Sequence, residues 1–327
     1  MSSMSSRESA SGSIDALHGD HRHIFTDAIM NILATDLAES TYAQILDGLP
    51  TEGSVRSGFH FIHDHPVFTL RHENLCEGFL GKARKFTARF DPSELCFDPL
   101  IAVFLYELDD GAHKHEAHQT WLDMVRREPK GQNPPRHYIP PATIFVHRAY
   151  RSAERYPRGT ADVAGYWAEG QIFGGVVWFE RGETDSECQG IWIHGASQGG
   201  PRTLYPPTQR QLDSLISFLL SRPDEDSVCP LPIHGTPENR PRWDPYEAQS
   251  RFHIFRDKNL LSPPIQSPGW SCTSVKASDW PEVGDEMIWV QQNQLREWGE
   301  PYDVEVMVAA EEGMKLITPT SPLYQQH

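Results

Sequence analysis

The sequence predicts an α+β fold, rich in loops, in which helices cover an antiparallel sheet. The main observation is a pair of strand patterns, residues 171–181 and 189–194, separated by a turn with several acidic residues. Two strands this close in the sequence are typical of an antiparallel hairpin. Two helices with clear start signals follow the hairpin, and 26 prolines in 327 residues indicate many stiff connections.

The two helices after the hairpin begin with residues that cap helices. Thr208 and Gln211 form a T-x-x-Q capping box, and Asp244 precedes a proline at the first helical position. The apolar face of the first helix is expected to contain Leu212, Leu215, Ile216, Leu219 and Leu220. That of the second helix is expected to contain Ala248, Phe252 and Phe255.

Composition divides the chain into a leader, two structured regions and a tail. Residues 1–13 are polar and serine-rich, and we expect this leader to be disordered. Residues 14–127 form an N-terminal helical and mixed region. After a proline-rich connection, residues 142–260 form an α+β body that contains the hairpin and its two helices. Residues 261–327 form a tail rich in proline and tryptophan.

Apolar residues at helical spacing predict two helices at the start of the N-terminal region. The second helix is expected to have Ser40 as its N-cap and to end before Pro50. Further strands are predicted at residues 59–62, 100–108 and 144–150, with an edge strand at residues 302–308.

The formal net charge of -16 limits the classes of partner. A chain of this charge repels phosphate backbones and anionic lipid headgroups unless it carries a local basic patch, and none is evident in the sequence. No apolar window has the length of a membrane span. We therefore predict neither a nucleic-acid partner nor a membrane partner.

The five cysteines are scattered and never occur in C-x-x-C spacing. This pattern argues against a thiolate zinc site and against a redox pair, and it suits a reducing compartment. The N-terminal residues lack the apolar segment of a secretory signal. We predict a cytoplasmic location, with the nucleus as the alternative, while the oligomeric state has no sequence signal.

Three histidines directly after a predicted buried strand form the first candidate metal site. His113, His115 and His118 lie within six residues, so they can bind one ion with little loss of chain entropy. Their segment resembles the H-x-H-x-D-H dimetal motif of the metallo-β-lactamase fold, with Ala117 in place of the aspartate. Zinc and iron are ions that imidazole binds well. The alternative is a polar loop with exposed histidines.

A second group of histidines lies in the N-terminal region, and its members are His60, His63, His65 and His72. Here His63, Asp64 and His65 supply an H-x-H pair and a carboxylate, which is the donor set of two-histidine, one-carboxylate metal sites. The alternative is a hydrogen-bonded turn ahead of Pro66.

No convincing nucleophile arrangement is present in the sequence. The G-x-S-x-G elbow is missing, and Cys188 has no base beside it along the chain. Gly174 and Gly175 lie within a strand pattern, which favours a close approach of two backbones over phosphate binding. Aromatic residues at strand spacing are expected in the core, namely Tyr166, Trp167, Phe173, Trp178, Phe179 and Trp192.

Several segments between residues 140 and 258 resemble a large family of uncharacterised proteins from filamentous fungi. They are GYWAE at 165–169, IFGGVV at 172–177, FERGE at 179–183, CPLPI at 229–233 and HIFRD at 253–257. The resemblance implies a fungal source, and it carries no established activity.

Two hypotheses for function follow. The first is an auxiliary enzyme that acts on a small apolar or aromatic molecule, with a divalent metal ion, zinc or iron, held by one of the two histidine groups. The fungal resemblance associates such a role with secondary metabolism. The alternative is a non-catalytic binding or regulatory protein. The sequence predicts neither the reaction nor the identity of the substrate.

Overall fold

The computed structural model describes residues 20–58, 66–92, 143–147, 149–182, 188–195, 200–221, 228–256 and 275–324. These residues form a mixed α+β fold, as the sequence predicts. The helices are α1 (Asp20–Leu33), α2 (Asp36–Asp47), α3 (Glu52–Gly58), α4 (Pro66–Thr69), α5 (Phe79–Thr87), α6 (Thr160–Phe173), α7 (Gln209–Leu219), α8 (Pro245–Arg251), α9 (Pro281–Glu297) and α10 (Val304–Met314). The strands are β1 (Gly175–Glu180), β2 (Gly190–Gly195), β3 (Leu204–Tyr205) and β4 (Ile254–Phe255). Among the described helices, none combines the length and the apolar character needed to cross a membrane.

These strands form an antiparallel sheet in the order β3-β2-β1-β4. The predicted hairpin is confirmed as β1 and β2, whose register places Trp178 opposite Trp192. A predicted strand at residues 144–150 is wrong. An isolated bridge joins His147 and Tyr150 there, because the Tyr150 N–H donates to the His147 carbonyl at 3.1 Å and closes a turn.

Helix α6 packs against β1 and is buried on nearly all sides. Tyr166 and Trp167 are buried as predicted, but they lie in this helix and not in a strand. The reason is that a helix buried all round lacks the apolar and polar alternation by which helices are recognised in a sequence. The predicted strand from residue 171 therefore begins only at Gly175.

The chain passes from α6 into β1 through Gly174, which has the left-handed φ of 84°. A side chain at this position would collide with the Ile233 carbonyl, and the Ile233 N–H donates to the Phe173 carbonyl at 3.0 Å. The close approach of two backbones predicted for this glycine is thus confirmed, and it explains why a larger residue is excluded.

The N-terminal helices share an apolar cluster with the body of the protein. Ile172 of α6 packs among residues of α1, α2 and α5, which are Ile29, Leu33, Ala38, Tyr42, Ala43 and Ala83. Helix α2 begins earlier than predicted, because the Thr35 hydroxyl accepts from the Ala38 N–H at 3.1 Å and caps the first turn. Ser40 lies inside the helix, so its predicted capping role is wrong.

The helix start signals after the hairpin are confirmed. The Thr208 side chain accepts from the Gln211 N–H at 3.2 Å, and the Gln211 side chain accepts from the Thr208 N–H at 2.9 Å. The Asp244 carboxylate accepts from the backbone N–H groups of Tyr246 and Glu247. Both caps are local hydrogen bonds, which is why they could be predicted. Phe255, assigned to the second helix, lies in β4 instead.

The predicted apolar face of α7 is only partly buried. Ile216 is 45% exposed and Leu220 is 58% exposed, whereas Phe218 is buried. The orientation of α7 follows from its contact with α1, where the Asn31 side chain donates to the carbonyls of Phe218, Leu219 and Ser221 at 2.9–3.3 Å. This contact leaves an apolar groove between the two helices.

The predicted edge strand at residues 302–308 is wrong, because this segment begins α10. The Asp303 carboxylate accepts from the N–H groups of Glu305 and Val306 at 3.0 and 3.1 Å, which caps the helix. Alternating valines after the cap resemble a strand pattern, but α10 packs along α9 as a helical hairpin.

A polar network fastens this hairpin to the body. The Asp279 carboxylate accepts from the Arg202 N–H at 2.8 Å, and the Ser321 hydroxyl donates to Glu282 at 2.6 Å. Glu282, in the first turn of α9, is 1% exposed, and its Oε2 has no hydrogen-bond partner within the described part of the chain. Burial raises the pKa of Glu282 above its ordinary value, despite the opposing Ser321 hydrogen bond.

We expect Glu282→Gln to increase the free energy of unfolding by about 1 kcal/mol at neutral pH. The raised pKa means that the folded state holds the Glu282 proton more tightly than the unfolded state, so this group's contribution to stability falls as pH rises. The gain should therefore disappear at about pH 3, where both states carry the proton. Urea denaturation at the two pH values measures the difference, with Glu286→Gln in the same helix as the control. A gain independent of pH would contradict the prediction.

Candidate metal centre

An aspartate, a histidine and a cysteine converge beside the C-terminal end of α2. Asp47 is the last residue of α2, while His72 and Cys76 lie in the connection between α4 and α5. One potential ligand atom from each of the three side chains lies within 4.8 Å of the others. These residues combine oxygen, nitrogen and sulfur donors in one small space.

The position of Asp47 follows from the way α2 ends. Gly48 adopts the left-handed φ of 84°, and its N–H donates to the carbonyls of Gln44 and Ile45 at 3.1 Å. The next residue, Leu49, is fully buried and packs with Val55 and Val67. This apolar anchor directs the Asp47 carboxylate into the interior, where the side chain is 0% exposed.

Hydrogen bonds from the backbone and from both ring nitrogens hold His72 in place. Its N–H donates to the Val67 carbonyl, and its carbonyl accepts from the Glu52 N–H, each at 2.9 Å. The ring nitrogen Nδ1 lies 2.9 Å from the Pro50 carbonyl, and Nε2 lies 3.1 Å from Asp47 Oδ2. Because a carbonyl oxygen can only accept, Nδ1 carries a proton and Nε2 is the ring atom that faces the carboxylate.

A proton must also lie between Nε2 and Asp47 Oδ2 when no cation is bound, because otherwise a lone pair would face a carboxylate at 3.1 Å. The side chains of both residues are buried, so the charges receive little compensation from water. A metal ion at this position would replace the proton and bind Nε2. The Pro50 carbonyl would then hold the ring as the outer partner that metal-bound histidines ordinarily have.

Cys76 completes the group. Its backbone N–H donates to Asp47 Oδ2 at 2.9 Å, which fixes the cysteine beside the carboxylate. Burial raises the pKa of the Cys76 thiol, and the negative charge of Asp47 raises it further. The thiol is therefore protonated at neutral pH in the absence of a cation, and Cys76 is not an activated nucleophile of the kind that a low pKa produces.

One oxygen of the carboxylate lacks a hydrogen bond. Within the described residues, Asp47 Oδ1 is buried and has no hydrogen-bond partner. A buried charged oxygen without a partner is costly, and buried polar atoms in folded proteins are nearly always satisfied. This second observation, independent of the ligand spacing, is compatible with a cation at the site.

The donor set fits Zn²⁺ best. Zinc binds cysteine sulfur, histidine nitrogen and carboxylate oxygen, and the ligand atoms of a tetrahedral zinc site lie about 3.4 Å apart. The distance of 3.1 Å between His72 Nε2 and Asp47 Oδ2 is close to that value, and the 4.8 Å limit for the whole set requires only a small contraction. Three protein ligands leave a fourth position for water or substrate, as in catalytic zinc sites.

The histidine groups predicted from the sequence cannot be compared with this site. His113, His115 and His118 lie outside the described residues, as do His63, Asp64 and His65. Their roles as metal ligands stay predictions. His72 is the member of the N-terminal histidine group that lies within the described residues, and no ligand partner was predicted for it.

None of the three side chains of the candidate centre was predicted as a metal ligand, and His72 was named only as a member of the N-terminal histidine group. The spacing His72-x-x-x-Cys76 is short enough to have suggested a pair of metal ligands in one loop. No comparable signal existed for Asp47, because it lies far from His72 in the sequence and meets it only through the packing of α2.

A second group of polar side chains lies in the core of the body. The Trp178 indole N–H donates to the Tyr150 hydroxyl at 2.6 Å, and that hydroxyl lies 2.8 Å from His194 Nδ1. Burial raises the pKa of Tyr150 well above its ordinary value. The hydroxyl therefore stays neutral, and these hydrogen bonds join β1, β2 and the segment before α6 within the core.

No protein-family model matches the chain, and comparisons with curated proteins and with solved structures found no similar protein.

We expect Asp47→Ala to lower the free energy of unfolding by about 3 kcal/mol, because it leaves the His72 ring and the Cys76 N–H without their buried acceptor. Urea denaturation measures the loss. The matched control is Glu39→Ala, which removes another carboxylate from α2 but one that pairs with the exposed side chain of Arg84. This control should lose about 1 kcal/mol or less. Equal losses in both variants would contradict the structural role of Asp47.

Proposed function

We propose that the protein binds a divalent transition-metal ion, preferentially Zn²⁺, through Asp47, His72 and Cys76. The observation that carries the proposal is the arrangement of His72 Nε2 and the Asp47 carboxylate, 3.1 Å apart, with the Cys76 sulfur beside them. The Asp47 oxygen without a hydrogen bond supports it.

Binding of the ion requires the loss of protons from the site. Cys76 coordinates as a thiolate, and the proton between His72 and Asp47 is released when the metal replaces it. Because the pKa of Cys76 is raised, metal affinity should increase with pH through the neutral and weakly alkaline range. Bound zinc supplies Lewis acidity at its open position, where it lowers the pKa of a water molecule.

The metal prediction is tested with the full-length protein, freed of metal by chelator and titrated with ZnCl₂ in a calorimeter. We expect one equivalent to bind with micromolar or tighter affinity and with proton release that differs between buffers of different ionisation enthalpy. Cobalt should give the absorption of thiolate coordination. His72→Ala and Cys76→Ser should each weaken binding by at least about tenfold.

His115→Ala is the matched control, because it removes an imidazole from the other predicted histidine group. This variant should retain the stoichiometric site. Loss of binding in His115→Ala but not in His72→Ala would overturn the proposal and assign the metal to the sequence-predicted histidines. Failure of zinc to bind the wild-type protein would also overturn it.

The groove between α1 and α7 supports a second function, the binding of a small apolar or aromatic molecule. It has a volume of about 390 Å³, and its lining residues are His21, Ile24, Phe25, Ala28, Ile216, Leu219 and Leu220. This groove is open to solvent and has one polar side chain, so it can cover one apolar face of a compact aromatic ligand. The groove therefore favours the class of small molecule predicted from the sequence.

The groove is tested with the neutral fluorescent probe N-phenyl-1-naphthylamine. We expect saturable binding with increased probe emission, and we expect Ala28→Trp to weaken binding at least about tenfold because the indole fills the space between the helices. Val308→Trp places the same side chain on α10 and serves as the control. Equal effects of the two variants would show that the probe does not occupy the groove.

A catalytic role in fungal secondary metabolism and a cytoplasmic location stay predictions from the sequence. Turnover would require the metal centre and the bound small molecule to act together. Metal binding and probe binding have separate readouts, so either proposed function can fail without the other.

A further inference from the structure

We propose that the helical hairpin of α9 and α10 is a docking surface for a basic amphipathic helix of a partner protein. This inference goes beyond the proposed metal-binding function and concerns another part of the molecule. It depends on three features of the hairpin, namely its attachment to the body, its exposed apolar side chains and its charge.

The hairpin is attached to the body mainly through its base. Pro281, Glu282 and Val283 in the first turn of α9 are buried, and Asp285 forms an ion pair with Arg240. Within residues 284–316, all of which the structure describes, the sole buried residue is Ala310 of α10. Most of both helices therefore lies open to solvent on more than one side.

The exposed part of the hairpin carries many large apolar side chains. On α9, Met287 and Trp298 are 68% and 72% exposed, and they lie on one helical stripe with the half-buried Leu295. The further exposed apolar residues are Ile288, Val290, Tyr302, Val304, Val306, Val308 and Leu316. Large apolar side chains exposed in this number on one helical hairpin indicate an interaction site, whereas single exposed apolar residues need no explanation.

The negative charge of the hairpin favours a positively charged partner. Residues 281–316 contain nine acidic residues and two basic ones, Arg296 and Lys315. Glu282 is buried and Asp285 pairs with Arg240, so seven acidic residues can contribute negative charge to the surface. Lys315 already pairs with Glu312 at 2.7 Å. An apolar surface among carboxylates is complementary to a helix with apolar residues on one face and Lys or Arg on the other.

The negative charge of the hairpin disfavours two other possible partners of this surface, a second copy of the chain and an anionic membrane. A second copy of the chain would bring two acidic hairpins together, and the formal net charge of -16 adds to that repulsion. An anionic lipid surface would be repelled for the same reason. The exposed side chain of Met287 can adapt its shape to the side chains of a docked helix.

The proposal is tested with a fluorescein-labelled peptide of about 18 residues, built from leucine and lysine in an amphipathic helical pattern. Full-length protein is titrated into the peptide, and fluorescence anisotropy measures binding. We expect micromolar affinity that weakens at least about tenfold when salt is raised from about 50 mM to about 300 mM. Met287→Glu and Trp298→Ala should each weaken binding at least about fivefold.

Two controls separate docking on the hairpin from unspecific adhesion. Val228→Glu introduces the same charge at an apolar residue that is 88% exposed and lies outside both the hairpin and the groove, and it should leave the affinity unchanged. A peptide with glutamate in place of lysine should not bind. Equal binding of both peptides, or equal losses in Val228→Glu and Met287→Glu, would overturn the proposal.

Two further experiments test whether a second copy of the chain or a lipid surface binds the hairpin instead of a basic helix. Sedimentation of the wild-type protein as a dimer that Met287→Glu dissociates, without peptide binding, would overturn the proposal in favour of a second copy. Binding to vesicles of phosphatidylserine and phosphatidylcholine, lost in Met287→Glu, would overturn it in favour of a lipid surface.

Discussion

The buried Asp47 carboxylate is the interaction on which the candidate site depends. Its Oδ2 accepts from the Cys76 N–H and faces the His72 ring, so it joins the end of α2 to the connection that precedes α5. A carboxylate removed from water is tolerated only when protons, N–H groups or a cation compensate its charge. The same requirement therefore underlies the structural role of Asp47 and the metal site that we propose around it.

Burial also removes two charged side chains near the C-terminal region from water. Glu282 and Arg242 are both 1% exposed. Burial raises the pKa of Glu282 and lowers the pKa of Arg242 to about 10, as expected when the charged form of each group is disfavoured. Together with a small apolar cluster around Trp280, these polar groups fasten the α9–α10 hairpin at its base. The long faces of the two helices are left available to other molecules.

Two of the proposed ligands carry a charge opposite to that of the chain. A divalent metal ion and a basic helix are both cationic, and both suit a protein with a formal net charge of -16. The ligand proposed for the apolar groove between α1 and α7 is neutral, so that charge should have little effect on it. The three sites lie on different helices, so a substitution at one of them tests one proposal and leaves the others intact.

The sequence by itself determined the elements whose signals are local, such as the β1–β2 hairpin and the caps at Thr208 and Asp244, because each depends on residues within a few positions of one another. It also placed His72 within a histidine-rich region. Only the tertiary structure decided that the valines after Asp303 belong to a helix packed on α9, and that Asp47 meets His72 and Cys76. The physical reason is that the burial of a side chain depends on contacts between segments that lie far apart in the sequence. A local sequence pattern contains no information about such contacts.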